Sequence, residues 1–145
     1  MDAPLLVALP RDPQAAQRAR RQIEQDMAGR LSAAALDDVK IVATELVNNA
    51  VIHGTGEVAL SVATDGAVAR VVVRSDGVTA TPALHSRTPG IGGGWGLRIV
   101  DRLAIAWGAI EPGTVWADLP LEPEHFPRAS ARAHRDGRPV AWTGR

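Results

Sequence analysis

Glu45, Asn49 and His53 stand four residues apart in the run Glu45-Leu46-Val47-Asn48-Asn49-Ala50-Val51-Ile52-His53-Gly54. If the segment is helical, that spacing sets a carboxylate, an amide and an imidazole in one stripe. At about 100° per residue, Val39, Val42, Ala43, Leu46, Val47 and Ala50 fill one arc, and Glu45 and Asn49 fall on its shoulder. On a shoulder a side chain is neither buried nor fully exposed, so it can face a cleft. Glu45 could then accept a proton, and the Asn49 amide oxygen could hold a hard cation such as Mg²⁺. Taken alone, the spacing is what any helix with two polar residues at the edge of its buried face would show. The doubled Asn48-Asn49 tilts the reading toward function, because asparagine is a poor helix former. His53 also suits a plain role at a helix C-terminus, where the dipole favours its charge.

Two further stretches carry chemical potential. Gly90-Ile91-Gly92-Gly93-Gly94-Trp95-Gly96-Leu97 is glycine-dense and opens into a helix, which would let backbone N–H groups approach phosphate oxygens. It lacks the Lys and Ser or Thr of a Walker loop and does not sit between a strand and helix of a parallel unit, so a flexible loop stays open as the alternative. Val71-Val72-Val73-Arg74-Ser75-Asp76-Gly77 is a strand running into a polar turn, and by itself Asp-Gly there marks only the turn.

The elements that must position these residues are legible from periodicity. Leu5 to Leu9 reads as a strand. Asp12 and Pro13 supply an N-cap and a first-turn proline for a helix to about Gly29, with Ala16, Ala19, Ile23 and Met27 on its apolar side. A second helix from about Ala35 to His53 carries the Glu45 stripe and is stopped by Gly54 and Gly56. Glu57 to Thr64 and Ala67 to Ser75 form a hairpin through Asp65-Gly66, a dipeptide suited to a type I′ turn. Residues 76–94 have the composition of a long functional loop. A helix starting at Gly96 has Leu97, Val100 and Leu103 inward and Arg98, Asp101 and Arg102 outward. Ile105 to Ile110 and Thr114 to Leu119 make a second strand pair, turned by Glu111-Pro112-Gly113. Beyond Pro120 a Pro/Arg-rich stretch without period predicts a surface-packed or loose tail over 120–145, with Trp142 as the candidate to anchor its end.

Composition bounds the rest. The 145 residues, 46% of them hydrophobic, fit one domain with a real core. One Phe, four Trp and no Tyr predict an aliphatic, Val-rich interior. A formal charge of zero provides no global field to recruit nucleic acid or a membrane surface. The basic residues are 15 Arg and one Lys, a skew that GC-rich coding produces without Arg-specific chemistry. Without cysteine there is no disulfide, thiolate nucleophile or Cys-ligated metal. No signal pattern and no run of the roughly 18 apolar residues a membrane span needs is present, so a cytoplasmic protein is expected.

The order of these motifs resembles the GHKL ATPase superfamily, shared by gyrase, MutL and histidine kinases, and in particular the stand-alone anti-sigma-factor serine-protein kinases. The resemblance covers roughly residues 4–119 and rests on E-L-V-N-N-A-V-I-H-G together with G-G-G-W-G-L-R-I-V-D. It implies an α+β two-layer sandwich of the Bergerat type, a mixed but mainly antiparallel sheet with helices on one face. ATP and Mg²⁺ are the implied ligands, held between the helices and a lid at residues 78–91. Glu45 takes the position of the general base, and Asn49 that of the Mg²⁺ ligand. Gly92, Gly94 and Gly96, with Trp95 and Leu97, fall on the phosphate-contacting turn, and Thr114 on the strand near the adenine pocket. The implied partners are a sigma factor or an anti-sigma antagonist phosphorylated on serine; a homodimer is compatible with the family. One departure stands out. The family's aspartate, one residue, then glycine before the lid appears here as Ser75-Asp76-Gly77, with Ser75 at the adenine-reading position, Asp76 one residue late, and Thr79 where a second glycine is usual. A one-residue displacement on a regular strand turns a side chain to the opposite face, so Asp76 can substitute only if the strand has ended or bulged. Lys40 projects to the far side of its helix, which leaves Arg87 and Arg98 as the nearby cations. A non-catalytic binding module with weakened nucleotide binding is the rival expectation.

Overall fold

In the computed structural model, the described residues are 4–76, 94–111 and 113–123. The expected lid, Gly77, Thr79, Arg87, Gly92, Pro112 and the tail beyond Pro123 lie outside them. The elements run β1 (Leu5–Leu9), α1 (Ala15–Met27), α2 (Ala33–His53), β2 (Val58–Thr64), β3 (Val68–Ser75), α3 (Gly94–Leu103), β4 (Ala106–Glu111) and β5 (Thr114–Pro120). The strands form one sheet in the order β1-β2-β3-β5-β4. Every pairing is antiparallel. The fold is therefore α+β, with no parallel pair in the described sheet where a mixed one was expected.

Alternation decides which strand residues meet the helices. Leu9, Leu60, Val62, Val71, Val73, Val115 and Leu119 point into the core, where they join Ile23, Met27, Val39, Val42, Leu46 and Val47 from α1 and α2. The core is aliphatic, as the composition predicts, and α2 is its centre, packed on α1, α3, β2, β3 and β5. Lys40 reaches away from the sheet end of α2, its Nζ 2.7 Å from Glu24 Oε1 on α1.

Three local expectations are corrected. Asp12 is not the cap of α1: the N-cap is Gln14, and the Asp12 carboxylate accepts from the Gln14 N–H at 2.8 Å in the turn before the helix. The β2–β3 turn is not type I′, since Gly113 is the one described residue with positive φ. Asp65 closes it with its side chain, accepting from the N–H groups of Ala67 and Val68 at 3.0 and 3.1 Å. Finally, α3 begins at Gly94, so the last glycines of the glycine run are helical.

Candidate functional site

Ser32 starts α2 by accepting the Ala35 N–H at 3.1 Å, and 21 residues later the helix ends at His53. All six residues of the predicted inward arc are buried, from Val39 at 0% to Ala50 at 8% exposure. Glu45 and Asn49 are half-buried, as a shoulder position requires, whereas Asn48 and His53 are exposed. The stripe thus keeps two members at the edge of the buried face, while its imidazole is exposed.

What distinguishes Glu45 and Asn49 is what they do not touch. Thr44, beside them, donates to the Lys40 carbonyl at 2.7 Å and accepts from Arg20 at 3.2 Å. Among the described residues, no hydrogen bond or ion pair engages the Glu45 carboxylate or the Asn49 amide. Burial pushes the Glu45 pKa above the ordinary 4.5. A desolvated, unpaired carboxylate is a stronger proton acceptor than an exposed one.

The other side of the site is the end of β3, and here the geometry differs. Ser75 is 4% exposed, pointing inward with Val73 and Val71. Its hydroxyl lies 3.3 Å from the Ala50 carbonyl on α2 and 3.4 Å from its neighbour's carbonyl at Asp76, so its one proton is held inside the protein. The Ser75 N–H donates to the Gly113 carbonyl at 2.7 Å, and the Thr55 N–H to the Asp76 carbonyl at 3.0 Å. Strand β3 ends at Ser75, and Asp76 sits in a turn with its side chain exposed. The condition under which Asp76 could take over from Ser75 is therefore met.

Two glycines that sequence reading treated only as helix stops turn out to shape this junction. A Cβ on Gly54 would stand 1.9 Å from Ser75 Oγ and 2.8 Å from the Ala50 oxygen, and one on Gly56 would stand 3.2 Å from Asp76 Cβ. Gly54 is extended, at φ −99° and ψ 178°, a conformation open to any residue, so it is glycine for space and not for dihedral freedom. The signal was present as two adjacent pairs, Gly54 with Ser75 and Gly56 with Asp76, but no local rule connects residues twenty apart.

The remaining candidates divide. Gly94, Trp95, Gly96 and Leu97 occupy the start of α3, which packs against α2, and Leu97 is 3% exposed. Asp101, expected outward, is held in by the Trp107 Nε1–H at 2.9 Å. Thr114 pairs with Arg74 in the β3–β5 ladder, so it alternates onto the face away from Ser75; the residue that meets Ser75 is Gly113, through its carbonyl. No cluster of three or more His, Cys, Asp and Glu able to cage a metal occurs among the described residues. Asn49 fits Mg²⁺ nonetheless: its amide oxygen is a hard donor without a partner in the described protein, and Mg²⁺ bound through phosphates needs only one or two protein ligands. No described helix is long and apolar enough to cross a membrane.

A family model for the histidine kinase-like ATPase domain matches residues 9–113. The matched stretch contains Glu45, Asn49, Ser75, Asp76 and the glycine run, and it stops one residue before Thr114. Comparison with curated proteins gave no match.

Proposed function

The chain belongs to the histidine kinase-like ATPase domain family, and from that premise we propose that it is an ATP-binding regulatory protein of the anti-sigma-factor serine-protein kinase type. The supporting observation is the pair on the shoulder of α2: Glu45 and Asn49, half-buried, one turn apart and unengaged by the described residues, with the carboxyl of Glu45 raised by desolvation. In this reading the Asn49 amide oxygen ligates Mg²⁺, which neutralises phosphate charge when bound. Glu45 takes the proton of a partner's serine hydroxyl as that oxygen bonds to the γ-phosphorus and the β–γ bridging bond breaks, its electron pair leaving with ADP. The start of α3 lends backbone N–H groups to the phosphates. Asp76, exposed in the turn after β3, is in this reading the carboxylate that accepts from the adenine amino group, with Ser75 behind it as support. The partner is a sigma factor or a serine-bearing antagonist of one.

Isothermal titration with Mg-ATP tests the reading. Heat of binding and a thermal upshift are expected; silence in both at millimolar nucleotide defeats the ATP assignment. A second reading, a binding module of the same fold with decayed nucleotide affinity, draws support from the internal commitment of the Ser75 hydroxyl. It is favoured if the wild type is silent and Ser75→Asp brings binding back.

A further inference from the structure

Glycine gives up more conformational freedom on folding than any other residue, so it is kept where the chain needs positive φ or the absence of a side chain. Gly56 does not have positive φ; among the described residues Gly113 alone does. What Gly56 has is a neighbour. The three heavy atoms nearest to a Cβ placed there all belong to the Asp76 side chain: Cβ at 3.2 Å, Oδ2 at 3.5 Å and Cγ at 3.9 Å. At Gly54 the obstacles are a buried hydroxyl and two backbone carbonyls, which cannot give way, whereas Gly29 and Gly66 meet nothing within 4 Å. Gly56 is thus the glycine whose missing side chain leaves room for another residue's side chain.

The main chain of that residue is fixed. The Asp76 carbonyl accepts from the Thr55 N–H at 3.0 Å. One residue back, Ser75 pairs with Val58 at the end of the β2–β3 ladder and is tied to Gly113 through its N–H and to Ala50 through its hydroxyl. Only the two side-chain torsions of Asp76 then decide where its carboxylate goes. One flank of the side chain lies along the bare Cα of Gly56, the residue is otherwise exposed, and no hydrogen bond or ion pair among the described residues engages the carboxylate. A methyl at position 56 would occupy that flank. Because the Asp76 side chain is exposed, it can swing aside with little loss of stability, so the effect falls on the direction of the carboxylate.

A carboxylate is an acceptor only, and the six-amino group of adenine is a donor. We infer, on the ATP reading given above, that Gly56 is a positioning residue for base recognition: its missing side chain is the seat that aims the Asp76 carboxylate at the six-amino group. Gly56 touches no nucleotide in this account and acts through Asp76.

The full chain, Gly56→Ala, Asp76→Ala and the double variant are titrated with Mg-ATP and with Mg-purine riboside triphosphate, which lacks only the six-amino group. The wild type should bind ATP on the order of tenfold more tightly than the analogue, as expected for one charge-assisted hydrogen bond. Gly56→Ala should lose most of that ratio through weaker ATP binding, with analogue affinity and the urea midpoint unchanged. Asp76→Ala should lose it as well, and adding Gly56→Ala to it should change nothing further, since both act through one contact. A wild-type ratio in Gly56→Ala overturns the inference, as does equal weakening toward both nucleotides. A Gly56→Ala chain that fails to fold also overturns it, because the glycine then serves the fold. A wild type that binds ATP and the analogue alike overturns it while leaving ATP binding intact, and one that binds neither defeats the ATP assignment itself.

Discussion

The two sides of the candidate site use their polar groups in opposite ways. On α2, Glu45 and Asn49 are half-buried and engage nothing among the described residues, at the cost of a carboxyl shifted upward by desolvation. At the end of β3, Ser75 is deeply buried and its hydroxyl and N–H are both consumed, by α2 and by Gly113. Polar groups that a fold needs for itself are satisfied within it, and groups held in reserve for a ligand are not. By that criterion the proposed function draws its chemistry from α2, while Ser75 fastens the frame and Asp76 is the exposed carboxylate beside it.

The contrast predicts unequal responses. If the chain is the serine kinase proposed above, Glu45→Gln, which keeps shape and removes the proton acceptor, should lower phosphotransfer to a partner's serine by about 10²- to 10⁴-fold with ATP affinity nearly unchanged. Equal activity of this variant would remove the base role. Gly54→Ala should be costly in stability, not chemistry. The new methyl meets Ser75 Oγ and the Ala50 carbonyl, and we expect a loss of about 2 kcal/mol by urea unfolding. An unchanged midpoint would show that the junction is loose. Ser75→Ala should lose about 1 kcal/mol in the same assay, from one long hydrogen bond. A large loss of ATP affinity with full stability would instead make Ser75 a ligand contact.

The smallest effect concerns pH. Because the folded protein holds the Glu45 proton more tightly than the unfolded chain does, stability falls as pH rises from about 4.5 through the raised folded value. Glu45→Gln should therefore melt slightly above the wild type at pH 7, with the gap closing below pH 4.5. A gap independent of pH would point to packing, not ionisation.

Much of this was legible in the chain. The arc from Val39 to Ala50 marked the buried face of α2, and the same geometry put Glu45 and Asn49 at its edge, because helical period converts directly into direction. The hairpin bounds came through for a similar reason, although its turn did not: Asp65 closes it with a side-chain carboxylate, where the dipeptide alone suggested two positive-φ residues. What could not be read were contacts between distant residues. Gly54 looked like a helix stop, and only the approach of Ser75 makes it a steric necessity. Trp116 gave no sign that it would be buried on the outer face, and the pairing of Thr114 with Arg74 is equally invisible in the sequence. The glycine run likewise suggested a helix starting at Gly96, whereas α3, with Leu97 and Val100 packed in the core, begins at Gly94.

The central claim is that α2 holds a nucleotide and its metal, and Asn49 tests it most directly. Wild type and Asn49→Ala are titrated with ATP in the presence and absence of Mg²⁺. The wild type should bind ATP more tightly with Mg²⁺, and Asn49→Ala should lose that increment, worth roughly tenfold in affinity for one charge-assisted contact of about 1.5 kcal/mol, while keeping metal-free binding and stability. An increment that survives in Asn49→Ala, or a wild type that takes up no ATP at all, would contradict it.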